Sequence, residues 1–154
     1  MNVPKDYKEF IELLNQAKVK YVIVGGYALA FHNMPRFTGD IDFFIEISAD
    51  NASRIVETID KFGFKNIGIT QNDFLLKDNI IQLGYPPLRI DIITTLDGVS
   101  FKQVWKNKIK GFFGNQEIHV ISKPDLIKNK TASGRKQDLL DLELLKKAKK
   151  KKVK

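Results

Sequence analysis

The sequence contains no cysteine, which excludes disulfide bonds and thiolate metal sites from this 154-residue chain. Histidine is almost as scarce, with His32 in a predicted short helix and His119 in a predicted strand. Neither histidine has a second ligand-type residue at the spacing of a metal motif. We therefore expect both to be ordinary packing or surface residues.

Long hydrophobic runs are also absent. Apolar-rich segments such as residues 21–24 and 41–45 are far shorter than the roughly 20 residues that a membrane-spanning helix needs. The first ten residues are polar and carry no apolar signal core. The sequence therefore predicts no membrane partner, and a cytoplasmic location is the expectation.

Acidic residues are missing from the end of the chain. Of the formal net charge of +8, seven units come from the lysines within residues 146–154, which leaves about +1 for residues 1–145. A basic tail of this kind can bind nucleic acid by neutralising phosphates. It can equally be the solvated end of a helix, where lysines suit the helix dipole, and we favour this interpretation. We therefore predict one domain, 1–145, followed by a flexible lysine-rich tail, 146–154.

The sequence does contain enough apolar material for one core, because 43% of its residues are apolar and 11 are phenylalanine. Hydrophobic periodicity and turn residues divide the chain into helices and strands. Helices are predicted at 4–18, 27–33, 52–62, 101–107, 124–132 and from 135 into the tail, and strands at 21–24, 40–47, 64–70, 80–83, 88–95, 109–113 and 117–121. This order is typical of an α/β (α+β) domain, with a mixed β-sheet flanked by helices.

Two acidic residues begin the strand at 40–47, in the order Asp40-Ile41-Asp42. Residues i and i+2 of a strand point to the same face, so both carboxylates emerge together. Two carboxylates at this separation repel each other and raise each other's pKa. A divalent cation between them would relieve the repulsion, and hard ions such as Mg²⁺ prefer oxygen ligands.

A third acid, Asp91, lies within the otherwise apolar strand at 88–95. An acid in such a strand is expected to be exposed at an edge, paired or functional. If this strand neighbours the strand of Asp40 and Asp42, three carboxylates converge, and they form the ligand set of a two-metal site for phosphoryl transfer. The adjacency of the two strands is the condition on which this prediction depends.

The pair Gly25-Gly26 ends a strand and opens a helix. This geometry allows backbone N–H groups to approach a phosphate at the helix N-terminus. A Gly-Gly pair alone usually means a tight structural turn. Its position gives it more weight here, because a strand headed by two aspartates follows the short helix.

Together these motifs resemble the DNA polymerase beta-like nucleotidyltransferase superfamily, and its small prokaryotic members most of all. The residues that carry the resemblance are 24–29 (VGGYAL), His32 and 36–44 (RFTGDIDFF), with Asp91 at the position of the distant third acid. Segments 124–130 and 135–141 are similar to the helix pair that ends these proteins. The small members include abortive-infection toxin nucleotidyltransferases and, more distantly, lincosamide and aminoglycoside nucleotidyltransferases. The resemblance covers most of residues 1–145 and leaves out the tail.

The resemblance implies a metal-dependent enzyme that moves a nucleotide from a nucleoside triphosphate to an acceptor hydroxyl. Asp40 and Asp42 would bind Mg²⁺ (two ions, with Mn²⁺ as a substitute), and Asp42 would bridge both ions. Asp91 would bind the second ion and act as, or position, the base that takes the acceptor's proton. Gly25 and Gly26 would hold the triphosphate by backbone contacts, because the serine that many relatives carry at the second position is absent here.

Four further residues are candidates for nucleotide binding: Arg36, Thr38, Lys130 and Arg135. Arg36 could pair with phosphate oxygens or, equally well, orient one of the aspartates. Lys130 and Arg135 could add positive charge to the nucleotide site. Alternatively they pair with Asp138 or Asp141 and lock two helices together, and we favour this structural interpretation.

Three functions remain open at this point. The acceptor of an active nucleotidyltransferase could be a small hydroxylated molecule, an RNA end such as that of tRNA, or a protein side chain, and a homodimer could complete the cleft. A non-catalytic relative could act in a toxin–antitoxin pair, although a pure binding module has no need for three acids. A protein that binds RNA through its tail would lack any recognition motif.

Overall fold

The computed structural model of the protein describes residues 4–32, 39–65, 67–85 and 87–152, with side chains as far as residue 147. Within these ranges the chain forms one sheet from β1 Tyr21–Val24, β2 Asp40–Ile45, β3 Ile80–Tyr85, β4 Leu88–Ile93, β5 Ile109–Phe113 and β6 Gln116–Val120. The helices are α1 Lys5–Gln16, α2 Gly25–Phe31, α3 Ala49–Phe62, α4 Phe101–Asn107, α5 Lys123–Ser133 and α6 Lys136–Lys152, and a 3₁₀ turn spans Gln71–Phe74. None of these described helices is long and apolar enough to cross a membrane.

The strands lie in the order β3-β4-β2-β1-β6-β5. Two neighbouring pairs are parallel, β2 with β4 and β1 with β6, and the other three pairs are antiparallel. The antiparallel pairs β3–β4 and β5–β6 are the hairpins that the turn residues predicted. The predicted α/β domain with a mixed sheet flanked by helices is confirmed.

Helices cover both faces of this sheet. On one face α1, which begins after Pro4, buries an apolar stripe against β2, and its Phe10 lies 5.6 Å from Phe43 between ring centroids. Phe44 points to the opposite face, because strand residues alternate, and meets Phe101 of α4 at 5.3 Å. The two aspartates that head β2 share the face of Phe44, so they lie on the side of the sheet away from α1.

The strand predicted at 64–70 is wrong, because the described residues of this segment form a loop. Gly63 ends α3, and the backbone turns again at Gly68, so no extended alternation develops. A capping box between Thr70 and Asp73 then opens the 3₁₀ turn. β2 and β4 also end two residues earlier than the sequence predicts.

Tyr7 ties α1 to the beginning of β2 and β4. Its hydroxyl hydrogen-bonds to the carbonyl oxygen of Gly39, the residue before β2, and lies 3.0 Å from the carbonyl oxygen of Arg89 in β4. The two strands approach so closely here that a side chain at position 39 would collide with the backbone carbonyl of Pro87. Tyr7 therefore stabilises the end of the sheet where the acidic residues lie.

Replacement of this hydroxyl tests its contribution to stability. We expect Tyr7→Phe to lower the free energy of unfolding by about 1–3 kcal/mol, because it removes a hydrogen bond from partly buried carbonyl groups. The measurement is urea unfolding of the purified protein. Tyr85→Phe is the matched control, since Tyr85 is 88% exposed. Equal losses of stability in the two variants would contradict the assignment.

α5 and α6 are joined by a buried ionic cluster. Lys130 Nζ lies 3.2 Å from Asp138 Oδ1 and 2.9 Å from Asp141 Oδ2, and all three side chains are at least 94% buried. Arg135 Nε adds a contact of 2.8 Å to Asp138 Oδ2. Burial by itself raises the pKa of Asp138, but hydrogen bonds from Arg135, Ser133 and Lys130 outweigh it and hold this pKa well below its ordinary value. The structural interpretation of Lys130 and Arg135 is confirmed.

The cluster predicts a large effect at one lysine and a small effect at its neighbour. Lys130→Met should lower the free energy of unfolding by about 3–5 kcal/mol, because two buried carboxylates lose their common cation. Lys128 is exposed one half-turn away on α5, and Lys128→Met should change stability by less than about 0.5 kcal/mol. Denaturant titration of both variants measures the difference, and a Lys130→Met protein as stable as the wild type would refute the cluster's role.

Candidate active site

The pairing of β2 with β4 decides where the acidic residues lie. The two strands run parallel, with Asp40 opposite Arg89 and Asp42 opposite Asp91. Paired residues project to the same face of a sheet, and that face repeats at every second residue. Asp40, Asp42, Asp91 and Arg89 therefore share one face. The adjacency on which the three-carboxylate prediction depended is confirmed.

These residues form one wall of a cleft of about 530 Å³. Asp91 is 93% buried in the wall, whereas Asp40 and Asp42 are partly exposed to the cleft. Lys130 and Arg135, from the α5–α6 region, also line the cleft. The structure thus brings together six of the residues that the sequence singled out, Gly25 among them. Arg36 and Thr38 lie outside the described residues.

Asp42 is the most strongly perturbed acid of the group. Burial raises its pKa first, and the negative charges of Asp91 and Asp40 and a hydrogen bond with Asp91 raise it further. Arg89 acts in the opposite direction, and the pKa of Asp42 rises to about 7. Without a bound cation, Asp42 therefore takes up a proton as the pH falls through about 7.

Gly25 is adapted to the carboxylate beside it. Its φ of 70° is a left-handed conformation that glycine adopts without strain. A Cβ at this position would collide with the Oδ2 atom of Asp42, and would also lie 3.1 Å from its Cγ. The turn between β1 and α2 thus needs glycine in order to bring backbone against Asp42. Gly25 lines the cleft, while Gly26 is buried behind it.

Arg89 is the site residue that the sequence reasoning missed. Its guanidinium contacts Asp40 Oδ2 at 2.8 Å through Nη2, and Asp91 at 2.7 Å through Nε and 3.0 Å through Nη2. The signal was present in the sequence, because Arg89 and Asp91 are spaced as i and i+2 on a strand, like Asp40 and Asp42. The same spacing that placed Asp40 and Asp42 on one face therefore also predicts that Arg89 lies on the face of Asp91.

The donor set suits a hard divalent cation, since all three acids offer carboxylate oxygens. As they stand, however, no three acidic or histidine side chains within the described ranges are gathered closely enough to hold a metal ion. The reason lies in the ion pairs, because Arg89 draws oxygens of Asp40 and Asp91 to itself. Side-chain rotations that release these ion pairs would be needed to gather the three carboxylates.

The two histidines are packing residues, as predicted. His32 Nε2 lies 2.8 Å from the carbonyl oxygen of Ile121. His119 stacks on Tyr21 with 5.4 Å between ring centroids, and it makes a T-shaped contact with Trp105 at 5.1 Å. Neither lies in the wall of the cleft.

Comparisons with known proteins agree with this geometry. Residues 13–150 match the profile of a family described as the nucleotidyl transferase AbiEii toxin of a type IV toxin–antitoxin system. A candidate nucleotidyltransferase from Thermotoga maritima, whose crystal structure is known, superposes with a TM-score of 0.55 at 17% sequence identity, over 95% of this chain and 88% of that chain. At this identity the likeness concerns the fold alone. A search of curated proteins gave no significant match.

The family profile spans the glycine turn, the three acids and most of the α5–α6 region. The solved structure supports the same fold over nearly the whole chain. The resemblance that the sequence motifs suggested is therefore confirmed, and the chain belongs to the AbiEii toxin family of nucleotidyltransferases.

Proposed function

We propose that this protein transfers a nucleoside monophosphate from a nucleoside triphosphate to an acceptor hydroxyl, with release of pyrophosphate. The observation that carries the proposal is the parallel register that sets Asp42 opposite Asp91, with Asp40 on the same face. Strongly perturbed acids in a cleft are typical of functional sites. A non-catalytic protein would gain nothing from three acids that repel one another.

Asp40, Asp42 and Asp91 are the residues that would hold two divalent ions, Mg²⁺ by preference and Mn²⁺ as a substitute. Such ions would supply charge neutralisation at the triphosphate and activation of the acceptor hydroxyl. Asp42 lies opposite Asp91 and two residues from Asp40 on the same strand face, so it would be the residue to contact both ions. Asp91 is placed to orient the acceptor hydroxyl or to accept its proton.

The other residues of the cleft would position the nucleotide. The cleft volume of about 530 Å³ falls in the range of about 300–1,000 Å³ that is typical of small-ligand pockets. Backbone N–H groups of Gly25 and Gly26 would approach the triphosphate from the β1–α2 turn. Lys130 and Arg135 hold their acidic partners and also line the cleft, so their charge reaches the nucleotide. Arg36 and Thr38 stay predictions for the same role.

The family description supports a role as the toxin of a type IV toxin–antitoxin pair. We propose that toxicity results from nucleotide transfer rather than from binding alone, because the acids are retained and gathered at one cleft. The acceptor could be a small hydroxylated molecule, an RNA end such as that of tRNA, or a protein side chain. A homodimer that completes the acceptor side of the cleft also stays a prediction.

The role of the acids in nucleotide transfer can be tested with substitutions that keep the side-chain shape. The double variant Asp40→Asn with Asp42→Asn should lose transfer of an α-phosphate label by at least about 100-fold, because the electrostatic stabilisation of the transferring phosphoryl group is removed. Label transfer from each of the four nucleoside triphosphates into a cell extract is the measurement, and the labelled product identifies the acceptor. Asp50→Asn, at an exposed position on α3, is the control.

Unchanged transfer in the double variant would contradict the proposal. If the wild type inhibits growth without any labelled product, and the double variant inhibits growth equally, the non-catalytic alternative would be favoured.

The raised pKa of Asp42 predicts a pH dependence of the metal-free protein. Because the folded-state pKa is about 7 and the ordinary value is 3.8, the folded protein binds more protons than the unfolded chain between these pH values. Its stability should therefore fall as the pH rises from 4 to 7, and the fall should be smaller in Asp42→Asn. Urea unfolding with a chelator at pH 5 and pH 8 measures this, and Asp50→Asn should follow the wild type. Identical pH profiles for Asp42→Asn and the wild type would contradict the assignment.

A further inference from the structure

The guanidinium of Arg89 lies between two acids that belong to different strands. It makes a forked contact with both oxygens of Asp91, at 2.7 and 3.0 Å, and a third contact at 2.8 Å with Asp40. The side chain is 23% exposed and faces the cleft. Its backbone is held by the hydroxyl of Tyr7 at 3.0 Å. The arrangement is a charge-assisted bridge across β2 and β4.

This bridge balances a large negative charge. Three acids share the face, whereas the other described cations that line the cleft, Lys130 and Arg135, are already in contact with Asp138. Arg89 is therefore placed to compensate the acids at the point where a metal would bind. Arginine stays protonated in proteins, so Arg89 cannot make way for another cation by losing its charge. It can only move.

We propose that Arg89 is an internal counter-cation that competes with the metal for Asp40 and Asp91, and that it turns into the cleft when metal and nucleotide bind. This inference rests on the proposed function. A divalent ion needs the carboxylate oxygens that Arg89 now contacts, and the two cations repel each other at such short range. The displaced fork suits the oxygens of a triphosphate, so the nucleotide stabilises the turned position.

Competition has two measurable consequences for the metal. Metal alone binds weakly, because it must displace Arg89 into water. Metal with nucleoside triphosphate binds more tightly, because the phosphates accept the displaced guanidinium. Arg89 thus makes metal and nucleotide binding cooperative, and it acts as a positioning residue rather than as a group that reacts.

The test is a titration of the full-length, chelator-treated protein with Mn²⁺, followed by calorimetry, with and without ATP. We expect Arg89→Met to bind Mn²⁺ alone about tenfold more tightly than the wild type, within the range of about 5–150-fold that is usual for coupled binding. The tightening that ATP produces in the wild type should be largely lost in Arg89→Met. Arg54→Met is the matched control, since the exposed side chain of Arg54 donates only to the carbonyl oxygen of Lys18 among its described hydrogen bonds, and this variant should behave like the wild type.

Thermal unfolding supplies a second measurement that does not depend on activity. Metal-free Arg89→Met should be less stable than the wild type, because the acids lose their counter-charge, and Mn²⁺ should raise its melting temperature more than that of the wild type. Arg89→Lys keeps the charge without the fork, so its Mn²⁺ affinity should lie between those of wild type and Arg89→Met. If Arg89→Met does not fold, the comparison of Arg89→Lys with the wild type decides.

The outcomes separate this inference from the proposed function. Wild-type protein that binds Mn²⁺, together with an Arg89→Met or Arg89→Lys variant that binds it no more tightly, overturns the role of Arg89 and leaves the metal site intact. No Mn²⁺ binding by the wild type or any Arg89 variant, with or without ATP, overturns the proposed metal site and this inference with it. Tighter binding with lost ATP coupling supports both.

Discussion

The parallel pairing of β2 with β4 sets Asp42 opposite Asp91, and this register requires the fold to hold carboxylates together that repel one another. Neighbouring parts of the structure are arranged around that requirement. Gly25 leaves the space that the Asp42 carboxylate occupies, and Gly39 lets the two strands approach at their first residues. Tyr7 then ties this end of the sheet to α1. Close backbone packing at Gly25 and Gly39 thus makes room for the carboxylates, and the charge of Arg89 offsets their mutual repulsion.

Cations near the cleft serve two different purposes. Lys130 is buried with Asp138 and Asp141, and this cluster joins α5 to α6, while Lys130 itself lines the cleft. The Lys130 ammonium is fixed, because its movement away from Asp138 and Asp141 would leave buried charges unpaired. Arg89 is more exposed and has the length to move. The cleft therefore combines a fixed cation with one that we propose to be movable, and together they would allow metal and phosphate to bind without a rearrangement of the sheet.

Much of the fold follows from local sequence. Periodicity predicted α4 at its observed bounds, and turn residues predicted the β3–β4 and β5–β6 hairpins. Such elements depend on neighbours within a few residues. The strand predicted at 64–70 failed because its apolar residues suggested extension while Gly63 and Gly68 turned the backbone, and no sheet edge pairs with the described part of this segment. Apolar alternation alone does not supply a hydrogen-bonding partner.

By itself, the sequence determined that Asp40 and Asp42 share a face and that glycine precedes them at a strand–helix turn, since both follow from the backbone periodicity of adjacent residues. It also placed Asp91 on a strand, but not beside them. Only the tertiary structure decided that β2 and β4 are neighbours, that their register aligns Asp42 with Asp91, and that Arg89 bridges the acids. Contacts between residues 49 positions apart depend on how the whole chain packs. Short sequence motifs therefore identify the residues of the site, whereas only the packing of the whole chain brings them together.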